Sequence, residues 1–150
     1  MKNKTEYIEV LRRLRSWPEK TDMITAYGCD DEIDDQEVLF DFYKLFASEK
    51  DINDNMINAF IQLYSLDYNY YYEGIQTFYD NCYGFNSKNQ INQAVDWLKY
   101  HQYSNIGEVM ELGFDKSKQQ YVSDWIFENV DIIYSAYRYI MLLFEQTYLK

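Results

Sequence analysis

Apolar residues recur along this chain at the three- and four-residue spacing of helices, and almost nowhere in the strict alternation of half-buried strands. Thr5 is placed to cap a first helix running to about Trp17, with Ile8, Leu11 and Leu14 on one side. Pro18 follows, and the segment to Asp35 reads as an irregular connection. From Asp35 onward, Val38, Leu39, Phe42, Leu45 and Phe46 return at helical spacing. Asp51 or Asn53 is the expected cap of the next helix. There Ile52, Met56, Ala59, Phe60 and Leu63 form one face and Ile57, Ile61 and Tyr64 a second, as in a helix buried on more than one side.

The Tyr70–Tyr83 segment is aromatic and is expected to end at Gly84, a C′ glycine. Ser87 with Gln90 makes a capping-box pattern ahead of Ile91, Val95 and Leu98. Ser104 is expected to start a short helix through Leu112, stopped by Gly113. Ser117 with Gln120 repeats the capping-box pattern before Tyr121, Trp125 and Ile126. In the last helix Asp131, Arg138 and Glu145 stand seven apart, with Ser135 beside them, on one narrow polar stripe. Nearly everything else there is apolar. Such a helix is either central in a bundle or shared with a second copy in a homodimer, and the pattern leaves both open. The expected fold is all-α, a compact single-domain multi-helix bundle spanning residues 1–150.

Composition agrees. Hydrophobic residues make up 47% of the 150 and aromatics 19%, which excludes global disorder. One proline and five glycines are too few for a turn-dense β-sandwich. A chain of this size buries enough surface to need no disulfide or metal. Cys29 and Cys82 suit free thiols in a reduced cytoplasm, and no apolar leader or membrane-length run interrupts that expectation.

Charge sharpens the picture. The formal net charge is −11, yet the first twenty residues carry six basic groups against three glutamates. The acidity therefore belongs to the rest of the chain. A surface of that sign repels nucleic acids and anionic membranes and steers toward basic proteins. It is densest where Asp30, Asp31, Glu32, Asp34, Asp35 and Glu37 crowd into eight residues, with Asp41 one helical turn further on. Asp34 or Asp35 can cap a helix, and first-turn acids suit its dipole, which accounts for two or three of the seven. The others are either solvated or held for a cationic partner.

Motifs for chemistry are scarce. His101 is the only histidine, and neither cysteine stands at zinc-ligand spacing with it. A Cys–His pair would need His101 to meet a thiol in space, with no local signature to support it. Asp51-x-Asn53-x-Asn55 opens like an EF-hand loop, but Met56 stands where the turn glycine belongs and Gln62 where the bidentate glutamate belongs. No phosphate loop, nucleophile elbow or dinucleotide fingerprint is present. No catalytic, cofactor or metal residue is therefore nominated.

One segment carries a resemblance. Glu73-Gly74-Ile75-Gln76-Thr77-Phe78-Tyr79-Asp80-Asn81 resembles the signature of a bacterial all-α family of largely uncharacterised proteins that includes an acidic DNA-mimic protein from Neisseria. That signature reads roughly Asn-Gly-Gly-Phe-x-Gln-Phe-Phe-x-Asn, and Gly74, Phe78, Tyr79 and Asn81 fit it. Tyr72, Glu73, Ile75 and Thr77 depart from it. Ala59, Phe60 and Tyr64 upstream, and Ala94, Leu98, Ile106, Val109, Leu112 and Gly113 downstream, follow in comparable order. The likeness covers residues 59–113. It implies a helical bundle without a cofactor, and a signature that serves a tight turn and aromatic packing between helices.

Together these features lead to an expected function. It is a non-enzymatic, acidic protein-binding inhibitor of DNA-mimic type, blocking the nucleic-acid-binding face of a basic partner. A transcription regulator, a toxin nuclease and a defence nuclease all suit that physics, so an immunity protein and an anti-defence protein are equally accommodated. The alternative is a helical interaction module that binds through Tyr68, Tyr70, Tyr71 and Tyr72, tyrosine being enriched at interfaces. A third reading, an enzyme of unknown type, would require His101 to lie beside a cysteine or carboxylate in a pocket.

Overall fold

The computed structural model describes residues 4–14, 33–48, 54–80 and 87–150, with side chains from 37 onward in the second of these segments and up to Arg13 in the first. Every regular element among them is helical, and the fold is an all-α bundle. In chain order the helices are α1 (Lys4–Leu14), α2 (Ile33–Ser48), α3 (Asn55–Tyr72), α4 (Ile75–Asp80), α5 (Lys88–Tyr100), α6 (Ser104–Leu112), α7 (Gln119–Glu128) and α8 (Val130–Phe144). A 3₁₀ turn, Lys116–Lys118, precedes α7, and a π-type turn, Glu145–Leu149, ends the chain. None of the described helices is long and apolar enough to cross a membrane.

The chain packs as two compact units, one of Met1–Ile52 with Val130–Lys150, the other of Asn53–Asn129. The first joins the two ends of the chain. Its centre is a cluster of four rings, Tyr7 of α1, Phe42 and Phe46 of α2, and Phe144 of α8, with centroids 4.7 to 6.0 Å apart. Tilted and edge-on pairs of this kind stabilise by about 0.5–1.5 kcal/mol each beyond the area they bury. Val38, Leu39, Phe42 and Phe46 are buried as their spacing predicts. On α1 the predicted face is rotated: Tyr7, Val10 and Leu11 are buried, whereas Ile8 is half exposed. The reason is bulk, since Tyr7 fills a site among three phenylalanines that an isoleucine one position away does not reach. Thr5 lies inside α1 rather than capping it, and Trp17 and Pro18 fall outside the described residues. Along α8 and into the turn that follows it the polar stripe is real, with Asp131 and Ser135 exposed and Arg138 and Glu145 half-buried. Ile133, Tyr137, Ile140, Met141 and Phe144 are buried.

In the second unit α3 lies along α5, α5 pairs with α6, and α7 closes against α6, α3 and α4. Asp54 caps α3 by accepting from the Met56 N–H at 2.7 Å; Asp51 and Asn53, the expected caps, lie outside the described residues. The Asn58 amide donates to the Gln90 carbonyl at 2.9 Å and ties α3 to the start of α5. The Ser87–Gln90 capping box forms in both directions, with the Gln90 N–H donating to Ser87 Oγ and the Ser87 N–H to Gln90 Oε1. The second predicted box does not form. Ser117 instead donates its N–H and hydroxyl to Asp115, which caps the 3₁₀ turn, and Gln120 donates to Asp124. An aspartate two residues ahead competes for the same hydroxyl and holds it.

The aromatic segment expected to run through to Gly84 breaks earlier. Gly84 is outside the described residues, and α3 stops at Tyr72. Gly74 adopts φ +92°, a left-handed conformation that glycine enters freely, and its N–H reaches back to the Asn69 carbonyl at 2.5 Å. The chain thereby turns into α4, which buries Ile75, Phe78 and Tyr79.

Candidate functional site

The seven acids singled out in the sequence divide by position. Asp30, Asp31 and Glu32 lie outside the described residues, and Asp34 and Asp35 are placed only as backbone in the first turn of α2. Glu37 is exposed and Asp41 half-buried on that helix. Both face Arg13 of α1, which donates from Nη1 to Asp41 Oδ2 at 2.7 Å and places Nη2 3.7 Å from Glu37 Oε2. Lys44 adds a second cation 3.4 Å from Asp41 Oδ1. Two of the seven thus have a use inside their own unit, holding α1 to α2. The basic residues of the first helix carried this signal, but only the fold aligns Arg13 with acids 24 and 28 positions away.

Beside this pairing runs an open groove of about 720 Å³ between α1 and α2. Its floor is apolar, from Ile8, Val10 and Leu45, and its rim carries Glu6, Glu9, Arg13, Asp41 and Lys44.

The described part of the second unit is also acidic. Between Asp54 and Asn129 ten carboxylates face four lysines, and eight of the ten are exposed: Glu73, Asp80, Asp96, Glu108, Glu111, Asp115, Asp124 and Glu128. Lys99 is committed to Glu111 at 2.8 Å, and the Lys88 ammonium lies 4.9 Å from the centre of the Phe114 ring. Asp115, holding two hydrogen bonds from Ser117, has its carboxyl pulled below the usual range. All eight are open to solvent.

On α3 the aromatic residues form a ladder. Phe60, Tyr64, Tyr68 and Tyr72 follow at four-residue intervals and so share one helix face. Their ring centroids are 6.3, 6.3 and 4.7 Å apart, the first pair 5° from parallel and the second 28°. Tyr71 meets Tyr72 edge-on at 4.7 Å. The ladder starts in the core, where Phe60 is fully buried, and emerges at Tyr68 (45% exposed), Tyr71 (43%) and Tyr72 (59%). Tyr70, fourth of the predicted aromatic surface, is half-buried. Burial, with Asp67 and Asp124 nearby, raises its phenol above the usual range.

His101 ends α5. Its N–H donates to the Trp97 and Leu98 carbonyls, its ring stacks on Trp97 at 3.9 Å, and burial lowers its pKa. The cysteines that a Cys–His pair would require lie outside the described residues. Among the described residues no three of His, Cys, Asp and Glu gather closely enough to hold a metal ion.

The signature residues have structural employment. Gly74 makes the turn, Phe78 and Tyr79 are buried, and the Tyr79 hydroxyl donates to the Met110 carbonyl at 2.7 Å, satisfying the end of α6. Asn81 falls outside the described residues. No protein-family model, no curated protein and no solved structure matches this chain.

Proposed function

We propose that this chain is a non-catalytic, acidic inhibitor that binds a basic protein and covers the face with which that protein holds nucleic acid. The observation that supports the reading is the excess of exposed carboxylates over lysines on the second unit, within a chain of net charge −11. Duplex DNA presents one charge per about 1.7 Å of axis, and the exposed carboxylates are the groups that would stand in for its phosphates. In the sequence Asp30, Asp31, Glu32, Asp34 and Asp35 add five carboxylates around the start of α2, while Glu37 and Asp41 meet the partner only where Arg13 leaves them accessible.

The test is a tagged pull-down from the native host or the host it infects, washed at low and at high salt, with captured proteins identified by mass spectrometry. A nucleic-acid-binding protein held at low salt and released at high salt supports the reading. Charge reversal at Asp30, Asp31 and Asp34 then abolishes capture. A partner that resists salt and lacks a basic face overturns it. The tyrosine ladder favours a second reading, an interaction module that binds through aromatic surface, whose complex keeps its affinity as salt rises.

A further inference from the structure

We infer that the exposed end of the α3 ladder, Tyr68, Tyr71 and Tyr72 with Glu73, is a docking strip for arginine side chains on a basic segment of a partner protein. The inference rests on the proposal that the partner is basic, and it names the chemistry by which this surface reads it. Three features meet at one helix end. First, Tyr68 and Tyr72 lie tilted against each other, 4.7 Å between centroids and 38° between planes, and stay about half exposed, so part of each ring is open to solvent. A guanidinium is planar and weakly hydrated, and it lies flat on such rings more readily than a compact, strongly hydrated ammonium does.

Second, the C-terminal end of a helix carries partial negative charge that favours cations, and α3 has no basic residue in its last turn. Glu73 follows at once, exposed, with two oxygens that can take a guanidinium fork. Third, the local sequence supplies no cation of its own, since there is no lysine or arginine from Asp51 to Ser87. Of the acids in the same stretch, Glu73 and Asp80, which follow the end of α3, are exposed. Charge complementarity therefore selects a cationic occupant, and the rings select arginine within that class.

The experiment measures binding of nona-arginine and nona-lysine peptides to the full chain by titration calorimetry at low salt. It uses the wild type, the double variant Tyr68→Ser/Tyr72→Ser, the double variant Tyr68→Phe/Tyr72→Phe, and Glu73→Lys, with circular dichroism confirming that each is folded. The expected result is tighter binding of the arginine peptide than of the lysine peptide by several-fold. The serine pair weakens the arginine peptide by roughly fivefold to thirtyfold and removes the preference, while the phenylalanine pair keeps it. Glu73→Lys weakens both peptides. Equal binding of the two peptides, with no effect of the serine pair, overturns the inference, as does failure of both to bind. Either result leaves the acidic-inhibitor reading to its own test. Capture that depends on Asp30, Asp31 and Asp34 but not on Tyr68 or Tyr72 sinks the strip and keeps the inhibitor.

Discussion

Among the described glycines, Gly113 is where an added carbon meets its neighbours most closely. It follows α6 with φ −67°, a conformation open to any residue, so alanine meets no backbone strain there. The obstacle is the Tyr79 ring. A Cβ at Gly113 would lie 2.0 Å from Tyr79 Cζ and 2.1 Å from Oη. To restore van der Waals contact the ring must retreat by roughly 1.5 Å. Tyr79 is only 5% exposed, packs edge-on against Phe78 and Phe114, and donates its hydroxyl to Met110 at 2.7 Å. Overpacking of this kind costs about 1–3 kcal/mol, and loss of the hydrogen bond with burial of the Met110 carbonyl about 1–3 kcal/mol more. Gly113→Ala is thus expected to destabilise by about 2–6 kcal/mol, a large share of the roughly 5–15 kcal/mol typical of folded proteins. Urea unfolding followed by circular dichroism measures it as a fall in midpoint at constant slope.

The control is a double-mutant cycle. In a Tyr79→Leu background the ring is gone, and Gly113→Ala should be neutral or stabilising by about 0.4–1 kcal/mol through reduced unfolded-state entropy. The coupling between the sites is expected to exceed about 2 kcal/mol. A penalty below about 1 kcal/mol, or one of the same size in both backgrounds, refutes the steric account.

Three further outcomes follow from named contacts. Burial raises the Tyr79 pKa above its ordinary value near 10, so the neutral phenol belongs to the folded state. Its contribution is complete below about pH 10 and is lost as pH rises further, because the unfolded chain releases the proton first. Relative to Tyr79→Phe, the wild type should lose up to about 1.4 kcal/mol per pH unit above pH 10, read from urea midpoints at pH 9, 10 and 11; parallel profiles would contradict this. Gln102 holds φ +76° in the turn after α5, and Gln102→Gly should raise stability by about 0.5–1 kcal/mol, seen as a higher melting temperature. Ser87→Ala removes the capping box from α5 and should cost about 1 kcal/mol, with Ser87→Gly costing less, by the same melts.

What was legible in the sequence was what neighbours along the chain decide. The Ser87–Gln90 cap, the span of α6 from Ser104 to Leu112 and the polar stripe of α8 depend on spacings of seven residues or fewer and stand where periodicity put them. Where two local partners competed, tertiary geometry or a nearer acceptor settled it, as when Asp115 took the Ser117 hydroxyl. Tyrosine hides most from a linear reading, because one ring can be core or surface at little difference in free energy. Tyr7 is fully buried and Tyr72 more than half exposed, though both stand on helices among apolar neighbours. Only the fold could place Tyr7 among Phe42, Phe46 and Phe144, or bring Arg13 to Glu37 and Asp41. These contacts join segments far apart in the chain, and their energies depend on positions that no local spacing encodes. The sequence alone established the helices, the Ser87–Gln90 cap and the sign of the surface; tertiary packing decided which acids hold α1 to α2 and which rings remain exposed.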